Sequence, residues 1–169
     1  TDIIYKRWID NLDTGAWSPW KYSGHEEKPR LDIQSKGSMV STGISIFNQW
    51  SIGSISGIVG SFGVSTTTQT INVPGVYDIY GSMYYVNGNG TALASLTVWN
   101  PGGDTLRHGE EFPVPLLPSH GQAIEKTIKG VYLTAGCLVG WRNTSGSLTI
   151  GNANSVSTRL TIEYVREAL

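Results

Sequence analysis

The chain has 169 residues, and its 12 Lys and Arg nearly balance its 13 Asp and Glu, which gives a formal net charge of −1. No basic stretch supplies the electrostatic footprint that a nucleic-acid backbone requires, which argues against nucleic acid as a partner. No apolar run approaches the ~20 residues that cross a bilayer, which argues against membrane insertion. The 21 Gly and six Trp, beside few charged residues, predict strands joined by tight turns.

The first part of the chain predicts a small hairpin followed by a linker. Residues 3–22 place apolar and aromatic side chains on both sides of a turn at Asp13, Thr14 and Gly15. Residues 23–36 are charged and interrupted by Pro29, which is typical of a linker. We therefore predict an N-terminal region at residues 1–37 and a main domain at residues 38–169.

The main domain shows short apolar or alternating runs between turn signals, at the spacing typical of a β-sandwich. The predicted strands occupy residues 39–50, 54–64, 66–73, 76–86, 91–99, 123–134, 137–143, 147–150 and 157–165. Residues 104–121 show little periodicity and contain three Pro, which predicts a long functional or interfacial loop. The composition and this pattern predict an all-β fold.

The run at residues 76–86 alternates strictly, so its side chains divide between two faces of a sheet. One face takes Tyr77, Ile79, Gly81, Met83 and Tyr85, and the other takes Asp78, Tyr80, Ser82 and Tyr84. Both faces carry large side chains. We therefore expect that the second face is covered rather than left in water.

Several segments resemble the tumour necrosis factor and complement globular-head superfamily. Residues 71–80 are similar to a characteristic strand pair of that superfamily, residues 96–103 to a hairpin, and residues 129–141 to a later segment in which Cys137 replaces the usual Asp. The resemblance implies a jelly-roll sandwich of about eight to ten strands that assembles as a homotrimer around aromatic residues. On this chain, the implied trimer axis consists of Tyr80, Tyr84, Asp78 and Ser82.

The N-terminal hairpin is similar to short repeats of phage tail-fibre and neck-appendage proteins, through Trp8, Asp10, Gly15, Trp17 and Trp20. This resemblance implies an extracellular position on a virion, at the tip of a tail fibre or appendage. In that position, the chain would also contact the shaft of the fibre.

The residues that catalysis or metal binding would need are scattered. His25, His108 and His120 lack the spacing of metal ligands, so we predict neither a metal nor a cofactor. Glu110 and Glu111 beside His108 suggest the carboxylate pair of a glycosidase, but adjacent loop carboxylates rarely converge, and we predict no enzyme. The lone Cys137 lies in an apolar run and is interpreted as inert packing.

A glycan site would combine an aromatic face with amides and other polar groups. The candidates are the side chains of Tyr85, Asn87, Trp99, His108, Glu110, Asn152 and Asn154. Taken singly, each Asn is also a turn residue and each aromatic side chain is also a core residue, so the alternative for each is a structural role.

These patterns lead to three hypotheses. The first is a trimeric receptor-binding head that attaches to a host cell-surface carbohydrate or wall polymer. The second is a C-terminal trimerisation and folding domain of a tail spike that autocleavage can release. The third is a glycan-binding module of a bacterial surface.

Overall fold

The computed structural model describes the chain in thirteen ranges. These are residues 5–6, 9–11, 16–17, 21–22, 28–35, 39–42, 45–46, 50–56, 60–88, 92–103, 106–114, 122–150 and 158–167. In the order of the chain, the strands are β1 (Tyr5–Lys6), β2 (Ile9–Asn11), β3 (Ala16–Trp17), β4 (Lys21–Tyr22), β5 (Arg30–Ser35), β6 (Met39–Thr42), β7 (Ser45–Ile46), β8 (Trp50–Ser56), β9 (Phe62–Val64), β10 (Gln69–Ile71), β11 (Gly75–Gly88), β12 (Leu93–Trp99), β13 (Leu106–His108), β14 (Phe112–Pro113), β15 (Gln122–Leu133), β16 (Leu138–Ser145), β17 (Ser147–Ile150) and β18 (Arg159–Arg166).

Fourteen of these strands form two seven-stranded antiparallel sheets. In the first sheet β11 pairs with β15 along one edge, and with β18 and then β17 along the other. The strands β5 and β8 continue this sheet beyond β18, and β6 continues it beyond β17. The second sheet has the order β13-β12-β16-β10-β9, with β14 paired to β12 and β7 paired to β16. The predicted all-β jelly-roll sandwich is confirmed.

The core lies between the two sheets. The first sheet contributes Tyr77, Ile79, Met83 and Tyr85 of β11, all with 0% exposure. The second sheet supplies the opposing layer, which includes Ala94, Leu96, Val98, Val139 and Trp141. The alternation predicted for β11 is therefore confirmed, because its apolar face is the face that packs against the second sheet.

Trp141 connects the two sheets through the core. Its indole Nε1 donates a hydrogen bond to the backbone oxygen of Arg159 at 3.3 Å, and its ring lies against the backbone of Gly81. A Cβ atom at position 81 would overlap this ring. The glycine therefore allows a close approach between β11 and β16.

Three sequence predictions need correction. The segment interpreted as a linker contains β5, in which Leu31 and Ile33 are buried and which pairs with β18 and β8. The single strand predicted at residues 39–50 is divided, because β6 joins the first sheet and β7 the second. The loop predicted at residues 104–121 contains β13 and β14, which pair with the edge of β12.

The N-terminal hairpin pairs as predicted, with β1 against β4 and β2 against β3. The division of the chain into two domains stays a prediction. Within the part of the chain that the structure describes, no helix is long and apolar enough to cross a membrane.

Candidate functional site: the Tyr80 face

The surface of the first sheet that points away from the core is built on Asp78, Tyr80, Ser82 and Tyr84 of β11. We call this surface the Tyr80 face. All four side chains are partly buried although no second sheet packs on them. The sequence prediction that these four residues share one face is confirmed, whereas their place on a trimer axis stays a prediction.

Tyr80 is held in place by Asp78. The phenol of Tyr80 donates a hydrogen bond to Oδ2 of Asp78 at 3.1 Å, and this hydrogen bond is the main cause that raises the pKa of Tyr80. The other carboxylate oxygen, Oδ1, accepts a hydrogen bond from the backbone N–H of Gly130 at 2.7 Å. The carboxylate therefore fixes the phenol relative to the neighbouring strand β15.

The contact with Gly130 depends on an irregularity in β15. Tyr77 pairs with Val131 but Ile79 pairs with Ile128, so both Lys129 and Gly130 lie opposite Asp78. Gly130 adopts a φ of +63°, a conformation that glycine takes without strain. This β-bulge turns the N–H of Gly130 towards the carboxylate.

The neighbouring strands β18 and β5 add a second carboxylate, at Asp32. Arg30 donates two hydrogen bonds to the carboxylate of Asp32, from Nε at 2.9 Å and from Nη2 at 3.2 Å. The hydroxyl of Thr161 donates a third, to Oδ1 of Asp32, at 2.6 Å. The hydrogen bond and charge of Asp32 raise the pKa of Arg30.

The far end of the face is fixed by backbone contacts. The hydroxyl of Thr158 accepts a hydrogen bond from the N–H of Tyr84 at 3.0 Å and donates one to its carbonyl oxygen at 3.1 Å. Thr158 is fully buried and directly precedes β18. The Tyr80 face is therefore a polar surface on which hydrogen bonds within one chain hold the side chains of Asp78, Tyr80 and Asp32, while Tyr84 is held through its backbone.

The predicted glycan residues that the structure describes are not brought together as one site. Tyr85 has 0% exposure and lies in the core, so it offers no face for stacking on a sugar. Trp99 is 7% exposed and lies beside Gly140. Both aromatic candidates are therefore wrong, because these rings serve packing.

The described polar candidates for the glycan site lie on different strands or loops. His108 and Glu110 are exposed at the end of β13 and just after it. Asn87 lies near the end of β11 in the first sheet, whereas β13 belongs to the second sheet. Asn152 and Asn154 lie outside the described residues. A site that uses these amides stays a prediction.

The remaining candidates for chemistry are the thiol of Cys137 and a metal site. Cys137 is fully buried, as predicted, and Nη1 of Arg107 lies 3.6 Å from its sulfur. Among the residues that the structure describes, no group of three His, Cys, Asp or Glu side chains could hold a metal ion.

Sequence reasoning missed the contribution of β5 and β18 to the face. The signal was present, because Arg30, Asp32 and Gln34 alternate with the apolar Leu31 and Ile33, which is typical of a half-buried strand. The charge of this segment and its neighbour Pro29 led to the linker interpretation.

Comparison with known proteins supports the fold alone. No protein-family model and no curated protein sequence matches the chain. Among solved structures, Eiger TNF from S. frugiperda aligns with a TM-score of 0.65 at 13% identity, covering 85% of this chain and 96% of that structure. Murine APRIL at pH 8.0 aligns with a TM-score of 0.63 at 9% identity, covering 82% of this chain and all of that structure.

A third similar structure is the globular domain of the zebrafish complement 1qA protein. It aligns with a TM-score of 0.59 at 12% identity and covers 83% of this chain and all of that structure. The chain therefore has the jelly-roll fold that TNF-like and complement-head domains share.

Proposed function

We propose that the chain is a non-enzymatic, homotrimeric receptor-binding head at the tip of a phage tail fibre or similar appendage, where it attaches to a host cell-surface polymer or glycan. The observation that carries the trimer is the Tyr80 face. It presents two tyrosines, of which Tyr80 is hydrogen-bonded to Asp78, on the side of the first sheet that the second sheet does not cover. Packing against further copies would cover both rings.

The proposed receptor binding is supported by the multivalency of a trimer. Three equivalent weak contacts on one rigid head raise the overall affinity by orders of magnitude, which suits attachment to a repetitive surface polymer. The support for the virion position is the similarity of the N-terminal hairpin to phage appendage repeats.

Trimer formation is tested by the mass of the chain in solution. We expect light scattering to give three times the 18.3 kDa of one chain. Tyr80→Asp places a charge in the contact and should dissociate the trimer. The control is Thr66→Asp, which adds the same charge at an exposed turn joined to the second sheet. A monomeric native chain would contradict the proposal.

Receptor binding is tested on an array of purified teichoic acids, lipopolysaccharides and capsular polysaccharides. We expect the native chain to bind at least one polymer, and Tyr80→Asp to bind about 100-fold more weakly because avidity is lost. A well-formed trimer that binds none of them would instead favour the trimerisation and folding domain.

A further inference from the structure

Charged side chains cross the Tyr80 face in one line, at the height of Asp78. Asp78 pairs with Glu163 of β18, which pairs with Arg30 of β5. On the other side, the bulge of β15 sets Lys129 opposite Asp78. The line therefore has a basic residue at each end and two acidic residues in the middle.

The two acidic residues are direct cross-strand neighbours. Directly opposed side chains on one face lie roughly 4.5–5.5 Å apart at Cβ, and like charges in this position repel each other. Arg30 does not offset this fully, because its guanidinium forms a two-hydrogen-bond pair with Asp32. The middle of the line is therefore a place where an additional cation would be stabilising.

Lys129 is an exposed cation at one end of this line. It is exposed on β15, which pairs only with β11 and forms the outer edge of the first sheet in the described part of the chain. Within the described ranges, the ion pair found is the one between Arg30 and Asp32, and Lys129 takes no part in it.

We propose that, in the trimer, Lys129 of each copy forms an ion pair with Glu163 and Asp78 of the next copy. This inference rests on the proposed trimer. If the three-fold axis of the trimer runs parallel to β11, rotation about it leaves the position of every residue along the axis unchanged. The line of charges of one copy therefore meets the same line of the neighbouring copy. Contacts in a cyclic trimer are heterologous, so an edge of one copy can meet the middle of another. The basic edge and the acidic middle are complementary in charge.

The pairing is tested by exchanging the charges. Lys129→Glu and Glu163→Lys each replace an attraction with a repulsion at all three contacts. We expect each to raise the concentration at which the trimer dissociates at least about tenfold, measured by analytical ultracentrifugation. The double variant restores opposite charges between positions 129 and 163 but leaves Asp78 unchanged, so we expect it to return part of the lost association.

The control is Glu111→Lys, which reverses an exposed charge beside β14 of the second sheet. It should associate like the native chain, and circular dichroism should show every variant folded. Single variants that remain as trimeric as the native chain, or a double variant no better than either single one, would overturn the charge pairing while leaving the trimer intact. A monomeric native chain would instead overturn the proposed function, and the pairing with it.

Discussion

The two faces of β11 carry the same residue type in opposite circumstances. Tyr77 and Tyr85 point into the sandwich and have no exposed surface, whereas Tyr80 and Tyr84 point away from it and are partly buried. The inward pair packs against apolar neighbours, with Tyr77 in edge contact with Phe62 and Tyr164. Tyr80 instead bonds to a carboxylate. One strand therefore serves folding on one side and offers an ordered surface on the other.

The largest expected difference between the faces is in stability. Tyr85→Ala empties a fully buried position and should lower the free energy of unfolding by about 3–5 kcal/mol. Tyr84→Ala, the adjacent residue on the other face, should change it by less than about 1 kcal/mol. Urea denaturation at low protein concentration measures both. Equal losses would mean that the outward tyrosine is also part of the fold.

A smaller effect is expected where the inward face has no side chain. Gly81→Ala places a methyl group against the ring of Trp141 and should cost about 1–3 kcal/mol of stability, measured by the same denaturation. The matched control is Gly140→Ala, whose Cβ would meet no atom of its surroundings closer than 3.4 Å. If the two substitutions lower the stability equally, the loss caused by Gly81→Ala does not come from the close approach of the two sheets.

The smallest effect is the response of the inward pair to alkaline pH. Burial raises the pKa of Tyr77 and that of Tyr85, and the neighbouring Tyr164 adds to the shift of Tyr77. These tyrosines ionise near pH 10 in the unfolded chain and at higher pH in the fold, so their contribution to stability is complete below pH 10 and is lost as the pH rises. Tyr77, whose pKa is raised most, should lower stability by up to about 1.4 kcal/mol per pH unit.

Denaturation midpoints between pH 9 and pH 11 measure this loss. Tyr77→Phe removes the ionisable group and should make the decline less steep. The substitution also removes the hydrogen bond from the phenol to the backbone oxygen of Val73, 2.6 Å long, which lowers stability at every pH. The slope is therefore the informative quantity, and an unchanged slope would show that Tyr77 does not cause the decline.

The sequence predicts β11 and its two faces well, because a strand buried on one side reveals itself by its alternation. It predicts β5 poorly, although the same alternation is present there. Within β5, Arg30 pairs with Asp32, and the hydroxyl of Thr161 on β18 also donates to Asp32. This second contact becomes visible only when the strands are placed side by side.

The sequence does not reveal whether an aromatic side chain is buried or exposed. Tyr85 and Trp99 have the composition of a sugar-binding surface, yet packing buries both. The position of Lys129 and Gly130 is equally hidden, since it depends on a one-residue bulge in the pairing between β11 and β15. Local patterns predict which side of a strand is apolar but not what covers the other side.

The place of β5 within its sheet has a mechanical consequence. The chain enters the first sheet at Pro29, whose carbonyl oxygen accepts a hydrogen bond from the backbone N–H of Tyr164 at 2.8 Å, and β5 then runs between β18 and β8. Tension applied to the chain ahead of Pro29 along the direction of this strand loads the backbone hydrogen bonds on both edges in shear. The bonds then share the load rather than opening one after another, so the strand that begins the first sheet resists being pulled out.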